Sequence, residues 1–244
     1  MAEEVVPMTM SHQDADIQRA LRGLEHGDSS VRLRAALAVG TTPDPRLVDK
    51  LVERCAIEPE FYVREMLTWA LTRHPASVTV PKLVDELRPE RAARRRGGPA
   101  AGRAERTRAR SQALHTLSKI GDGRAWPAIT RELLTDPDDE VARSAWRAAV
   151  VLVPEGEEPG LAGVLATQLG RGGRETQLSL SRALIALGEV STPVLRAATT
   201  DPDPRVRQHA IATQRLADDP DAGFEFAIEE AKRVVALGRT SQEG

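Results

Sequence analysis

The strongest chemical signal in the sequence is a run of arginines between residues 88 and 110. This segment contains nine arginines but only two glutamates, and because the whole chain has a formal net charge of -2, the remaining residues are together acidic. Arginine clusters neutralise phosphates and release counterions. The composition therefore predicts a polyanion-binding loop that uses Arg91, Arg94, Arg95, Arg96 and Arg103. The alternative is a solvated insertion with no binding role, which a long loop permits at small cost.

Helix-breaking residues accompany these arginines. Pro89, the run Gly97-Gly98-Pro99 and Gly102 interrupt any long helix, so we expect a flexible insertion over residues 89–105. No Phe, Tyr or Trp lies between the arginines, and bases therefore could not stack within this loop.

The remaining chemistry-bearing residues do not form a catalytic or metal-binding pattern. The five histidines are scattered along the chain without metal-ligand spacing, at His12, His26, His74, His115 and His209. A single cysteine, Cys55, excludes an internal disulfide, and its apolar spacing predicts a small buried residue. We therefore expect no metal, no cofactor and no catalytic residues.

A repeated sequence motif indicates how the rest of the chain is organised. An acid, two residues, Val and Arg recur at Asp28–Arg32, Glu60–Arg64 and Asp203–Arg207, with a partial copy at Asp138–Ala142. Two weaker copies align at Ala109 and Thr176, so the anchors fall at positions 31, 63, 109, 141, 176 and 206. Units of this length cannot bury their apolar face alone and must stack on one another. The sequence predicts an all-α solenoid.

Each unit is expected to contain two helices. Asp28 should cap a first helix that ends at Gly40, where glycine permits a left-handed turn, and a second helix should follow over residues 46–57. Later second helices are expected to begin near a proline, such as Pro81. We predict about six helix pairs and an N-terminal capping helix in one array over residues 11–238. Residues 1–10 and 239–244 are expected to be disordered tails.

The acid-x-x-Val-Arg-x-x-Ala pattern, the following Gly121-Asp122 and the proline-started second helices resemble the bacterial HEAT-repeat family over residues 28–238. The resemblance implies an armadillo-like superhelix with first helices on its convex side and second helices along a concave groove. In that family the acid and the arginine look structural and link neighbouring repeats, which implies such a role for Asp28, Arg32, Glu60, Arg64, Asp203 and Arg207. Ala142 and Gln177 stand where the pattern has arginine.

The resemblance also implies a function. HEAT-repeat arrays are mostly non-enzymatic scaffolds or protein-binding modules, so we expect a protein partner in the concave groove. The second helices would present Arg46, Lys50, Arg54, Lys82 and Arg131 to it. The alternative is a nucleic-acid-binding protein that uses the arginine-rich loop. The sequence has no secretory signal and no apolar stretch long enough for a membrane span, which favours a cytoplasmic location.

One segment of the sequence is similar to part of an enzyme family. Residues 61–71, Phe-Tyr-Val-Arg-Glu-Met-Leu-Thr-Trp-Ala-Leu, are similar to a helix of the HEAT-like alkylpurine DNA glycosylases. Glu65 stands where that family tends to have Lys, and such an enzyme needs a catalytic Asp beside tryptophans in a basic groove. The predicted second helices carry mixed charge instead, so glycosylase activity is the last of the three alternatives.

Overall fold

The computed structural model describes residues 12–88, 102–219 and 223–240, and these residues are all-helical, without a strand. This confirms the predicted all-α class. The helices are α1 (His12–Leu24), α2 (Ser29–Thr41), α3 (Val48–Ile57), α4 (Phe61–Thr72), α5 (Ala76–Glu86), α6 (Arg103–Ile120), α7 (Arg131–Leu134), α8 (Asp139–Leu152), α9 (Glu158–Ala166), α10 (Arg174–Ala186), α11 (Thr192–Ala198), α12 (Pro204–Asp218) and α13 (Gly223–Thr240). Short 3-10 helices lie at Pro45–Leu47, Gly123–Ala128 and Gly188–Ser191.

Helices that are close in the chain pack together in two series. Helices α2, α4, α6, α8, α10 and α12 contact one another in that order, and these contain the anchors of the six sequence units. Contacts also join α3 with α5, α7 with α9, and α9 with α11. Each member of the first series therefore has one face toward its neighbours and one face left for solvent.

Small and aliphatic side chains fill one continuous apolar core from Leu24 to Ala210. Its largest member is Trp146, which is fully buried and donates its indole N–H to the carbonyl of Leu134 at 2.8 Å. Cys55 is also buried, as its spacing predicts, and this burial raises the pKa of its thiol to about 12. Cys55 is therefore a packing residue rather than a nucleophile.

The acids of the repeated motif cap the helices. Asp28, Asp138 and Asp203 each accept a hydrogen bond from the backbone N–H two residues later, at 2.8, 3.0 and 2.8 Å. Glu60 differs, because it donates its backbone N–H to the side chain of Glu58 at 3.0 Å and its own side chain makes no capping bond. The predicted cap is thus confirmed for Asp28, and Asp138 and Asp203 cap their helices in the same way.

The arginines of the motif bind the turn that precedes their own helix. Nη1 of Arg64 donates to the carbonyls of Glu58 and Pro59 at 3.0 and 2.6 Å, and Arg207 binds the two corresponding carbonyls of its own turn. Ala142 cannot do this, and Arg171 from the following turn donates to the carbonyl of Asp136 instead. These arginines therefore supply hydrogen-bond donors to turn carbonyls that are part-buried or exposed.

Arg32 also connects two units. Its Nε and Nη2 bind both carboxylate oxygens of Glu58 at 2.7 Å, while its Nη1 binds the carbonyls of the preceding turn. Glu58 is fully buried, and its partners are arginines and a backbone N–H. Burial by itself raises the pKa of this carboxyl, but the hydrogen bonds from Arg32 and Glu60 outweigh it and lower the pKa. Arg110 makes the equivalent link to Asp136, at 2.8 Å.

A buried histidine joins the last units. Nδ1 of His209 accepts a hydrogen bond from the Gly170 N–H at 3.0 Å, so Nε2 carries the proton and faces the Gln177 carbonyl and the Ser181 hydroxyl. The ring is fully buried, and this burial lowers its pKa to about 4. His209 is therefore neutral in the folded protein near pH 7.

Two local predictions are wrong. Gly40 does not end its helix, because α2 continues to Thr41; a Cβ at Gly40 would lie 2.2 Å from a ring carbon of Trp69, so glycine is needed here for the close approach of α2 and α4. Pro81 does not start a helix, because α5 begins five residues earlier, at Ala76.

The predicted tails and insertion lie largely outside the described residues. This holds for residues 1–10, for 241–244 and for 89–101 of the insertion. Residues 103–105 form the first turn of α6, and α13 extends to Thr240, two residues into the predicted C-terminal tail.

Replacing Gly40 with Ala should destabilise the protein by about 1–3 kcal/mol, because the added methyl group meets both the Trp69 ring and the Ala70 backbone. Urea unfolding measures this change. Gly163→Ala in α9 is the matched control, since nothing lies within 4 Å of its Cβ position and alanine favours a helix. Equal stability of the two variants would contradict the close packing of α2 on α4.

His209 should make stability pH-dependent. Its folded pKa of about 4 lies below the ordinary value of 6.5, so the unfolded chain binds the proton first and stability falls as pH drops from about 6.5 toward 4. The loss attributable to His209 should reach about 3 kcal/mol. We expect the stability difference between wild type and His209→Asn to shrink over this range in urea unfolding. A pH-independent His209 difference would contradict this assignment.

Candidate functional site

The sequence predicts that five cations line a groove formed by the second helices. In the structure, four of these five cations form ion pairs with carboxylates. The pairs are Arg46 with Asp14 and Asp44, Lys50 with Glu25 and Glu53, Arg54 with Glu58, and Lys82 with Asp49. The fifth, Arg131, is exposed at the start of α7 and has no ion-pair partner in the described part of the chain. The structure therefore does not bring these five side chains together as one uncompensated positive patch.

The predicted polyanion-binding loop is mostly outside the described residues. This applies to Arg91, Arg94, Arg95 and Arg96, while Arg103 is exposed at the first residue of α6. The loop hypothesis stays a prediction.

Cationic side chains lie close together on a different surface. Two adjoining cavities lie across α4, α6, α8 and α10, with volumes of about 600 Å³ and 230 Å³, and they share Arg143 and Arg147. We call this surface the first-helix groove. Its charged lining consists of six cations and three carboxylates, namely Arg64, Arg108, Lys119, Arg143, Arg147 and Arg182 with Glu65, Glu140 and Glu175.

The core determines where these side chains lie. Most positions of α8 from Val141 to Ala149 are buried in the core, and the exceptions are Arg143, which is half-buried, and Arg147, which is exposed. Arg143 and Arg147 are four residues apart and therefore lie on the same face of the helix. The packing of α8 between α6 and α10 then places this pair at the middle of the first-helix groove.

Most of the positive charge in the larger cavity is not neutralised. Arg143 pairs with Glu175 at 3.1 Å, whereas the side chain of Arg147 donates a hydrogen bond to the Ser144 hydroxyl at 3.2 Å. Within residues 12–88, 102–219 and 223–240, no carboxylate lies within ion-pair distance of Lys119, Arg147 or Arg182. Reduced solvation inside the groove and the positive charge of Arg143 both lower the pKa of Arg147.

His115 lies at the floor of the smaller cavity. Its Nε2 is 3.3 Å from a carboxylate oxygen of Glu65 but lacks the alignment of a hydrogen bond. Burial lowers the pKa of His115; Glu65 opposes this shift, while Arg147 and Lys119 reinforce it. The groove therefore holds a largely desolvated histidine whose protonation its cations disfavour.

Exposed aromatic side chains stand at the α4 end of the groove. Phe61 and Tyr62 are 57% and 77% exposed, and their rings meet edge to face with centroids 5.6 Å apart. The Arg64 guanidinium lies 5.9 Å from the Phe61 centroid. These residues belong to the helix that resembles a glycosylase helix. The catalytic aspartate which that resemblance implies has no counterpart among the described residues that line the two cavities.

No protein-family model matches the chain, and no curated protein matches it in sequence. The geometry of the groove is therefore the functional evidence. The described residues contain no group of three potential metal ligands, and each described helix is too short or too polar to cross a membrane.

Sequence reasoning missed Lys119, Arg143, Arg147 and Arg182. The HEAT resemblance implies a concave groove lined by second helices, so cations on first helices were not nominated. A usable signal was present, because Arg143 and Arg147 are four residues apart on the polar face of a strongly amphipathic helix. Nothing in the sequence, however, showed which arginines would have carboxylate partners.

Arginine substitutions should separate structural positions from groove positions. Arg32→Gln should lower the free energy of unfolding by about 3–5 kcal/mol, because it removes one partner of a buried ion pair. Arg147→Gln should change it by less than about 0.5 kcal/mol, since no partner is left uncompensated. Urea unfolding of both variants measures the contrast, and a large loss for Arg147→Gln would assign that residue to the scaffold.

Proposed function

We propose that the chain is a non-enzymatic scaffold or protein-binding module and that its helices form a HEAT-like α-solenoid. Three features support the solenoid: the contacts of α2, α4, α6, α8, α10 and α12 in chain order, the repeated aspartate caps, and the Arg32–Glu58 and Arg110–Asp136 links at equivalent positions. Stacked units expose long grooves, and binding through a groove is the common use of such arrays.

The partner binds in the first-helix groove through an acidic segment. The observation that carries this proposal is the set of uncompensated cations, Lys119, Arg147 and Arg182, in a chain whose formal net charge is -2. Like charges that are held together without counterions repel each other, and an acidic partner removes this repulsion on binding. The second-helix cations attract an acidic partner less strongly, because four of the five already pair with carboxylates of the same chain.

Apolar surface lies beside these charges. Val150, Val151 and Leu178 line the larger cavity, and Val151 is 52% exposed. A polypeptide can cover such side chains while its carboxylates meet the arginines. We expect the affinity for the partner to depend on both the apolar contacts and the contacts between carboxylates and arginines.

Nucleic acid is the second candidate, and a separate observation favours it. Phe61 and Tyr62 are exposed beside Arg64, which is a combination that stacks bases and binds phosphates. The predicted arginine-rich loop would add to this surface. These aromatic side chains do not line the larger cavity with its uncompensated cations, so we rank a protein partner first.

Charge reversal in the groove should test the proposal. A fluorescein-labelled decaglutamate peptide should bind the wild type, and Arg143→Glu/Arg147→Glu should weaken this binding at least about tenfold because close charge pairs contribute strongly. Fluorescence anisotropy measures both affinities. Arg34→Glu/Arg131→Glu is the control, since it changes the net charge equally at two exposed arginines outside the groove.

If the two double variants lost the same affinity for the decaglutamate peptide, this would contradict a binding site localised in the groove. Salt titration distinguishes the second candidate: a single-stranded DNA decamer that binds more tightly than the peptide, with log affinity falling by about 0.7 per neutralised phosphate per unit of log salt, would favour nucleic acid.

A further inference from the structure

The larger cavity of the first-helix groove has a composition that an acidic peptide alone does not explain. Four cations enter it from α6, α8 and α10, namely Lys119, Arg143, Arg147 and Arg182, and Glu175 is the only carboxylate among the described residues that line it. Glu175 pairs with Arg143, so three cations keep their full charge around one volume of about 600 Å³. We call these four residues the four-cation cluster.

The charge of the cluster matches a multiply charged anion. A glutamate side chain brings one charge and two oxygens, whereas a phosphate monoester brings a charge of about -1.5 to -2 and three acceptor oxygens. Arg143 and Arg147 lie four residues apart on α8 and repel each other, so a second charge on the ligand is favourable. A phosphate group therefore fits the excess charge better than a carboxylate does.

The donors in the cavity also suit phosphate oxygens. Arginine presents planar N–H pairs that bind phosphate in a bidentate manner, and three arginines surround the cavity. The Ser179 hydroxyl lines the same volume and makes no hydrogen bond to any described residue, so it can donate to a further oxygen.

The remaining lining indicates what carries the phosphate. Val150, Val151, Leu178 and Ala183 form an apolar wall next to the cations. No aromatic side chain lines this cavity, although binding of single-stranded nucleic acid usually combines phosphate contacts with base stacking. The lining suits a phosphorylated side chain on a polypeptide whose apolar neighbours cover the wall.

We propose that the four-cation cluster is a phosphate-binding subsite that takes a phosphoserine or phosphothreonine of the partner protein. This inference rests on the proposed function, because it specifies the acidic partner of the same groove.

Two fluorescein-labelled peptides test the inference. Both consist of glutamate and alanine around a central residue, which is serine in one and phosphoserine in the other. Phosphorylation should raise the affinity for the wild type by about tenfold, the effect of one strong charge-assisted hydrogen bond. Arg147→Gln and Arg182→Gln should each remove most of this gain while changing the affinity for the serine peptide by less than about threefold. Arg34→Gln, outside the groove, should keep the full gain.

The outcomes separate this inference from the proposed function. Equal affinity for the two peptides would overturn the phosphate subsite and leave the acidic-partner proposal standing, whereas absence of binding by both would overturn both proposals. A gain that persists in Arg147→Gln and Arg182→Gln would place the phosphate elsewhere and overturn the subsite. Tighter binding of a single-stranded DNA decamer, with equal sensitivity to these substitutions, would assign the cluster to phosphodiesters and also overturn it.

Discussion

The interaction on which the structure depends most is the binding of turn backbone and of the buried Glu58 by arginine. Helices can pack closely only if the peptide groups of the turns between them keep hydrogen-bond partners. Arg32 provides these partners for its own turn and also binds the buried Glu58 of the next unit. Arg64 and Arg207 bind their own turns, and where alanine replaces arginine at position 142, Arg171 supplies the missing donor. The scaffold thus uses arginine as an internal component, which explains why many arginines in this chain are not available to a ligand.

The same packing creates the groove. Small residues such as Gly40 and the buried alanines of α8 let successive helices approach closely, so their outward faces form one continuous surface. Arg143 and Arg147 lie on that surface because the opposite face of α8 is committed to the core. Glu175 is the one carboxylate among the described residues that line the larger cavity, so positive charge is in excess there. Arginine therefore has two uses in this chain: Arg32 joins two units through Glu58, whereas Arg147 and Arg182 face the groove without a carboxylate partner among the described residues.

The sequence predicts the all-α class, the Asp28 cap and the burial of Cys55, because these follow from local spacing and hydrogen-bonding capacity. It fails at Gly40 and Pro81. A glycine near a helix end can either terminate the helix or permit close packing, and only the position of Trp69 decides between them. The groove is harder still to predict. Lys50 and Lys119 look alike in sequence, but Lys50 pairs with Glu25 and Glu53, whereas Lys119 has no such partner in the described chain. Ion pairing between helices depends on tertiary contacts, which spacing along one helix does not reveal.

We propose that the arginines of the first-helix groove, and not the paired second-helix cations, meet the acidic partner. The most direct measurement follows the Nε–Hε signals of individual arginines by NMR while decaglutamate is added, with assignments from single Arg→Lys variants. We predict that the signals of Arg143, Arg147 and Arg182 shift progressively to saturation, while those of Arg46 and Arg54 stay in place. Shifts at Arg46 and Arg54 with unchanged signals from Arg147 and Arg182 would contradict the claim.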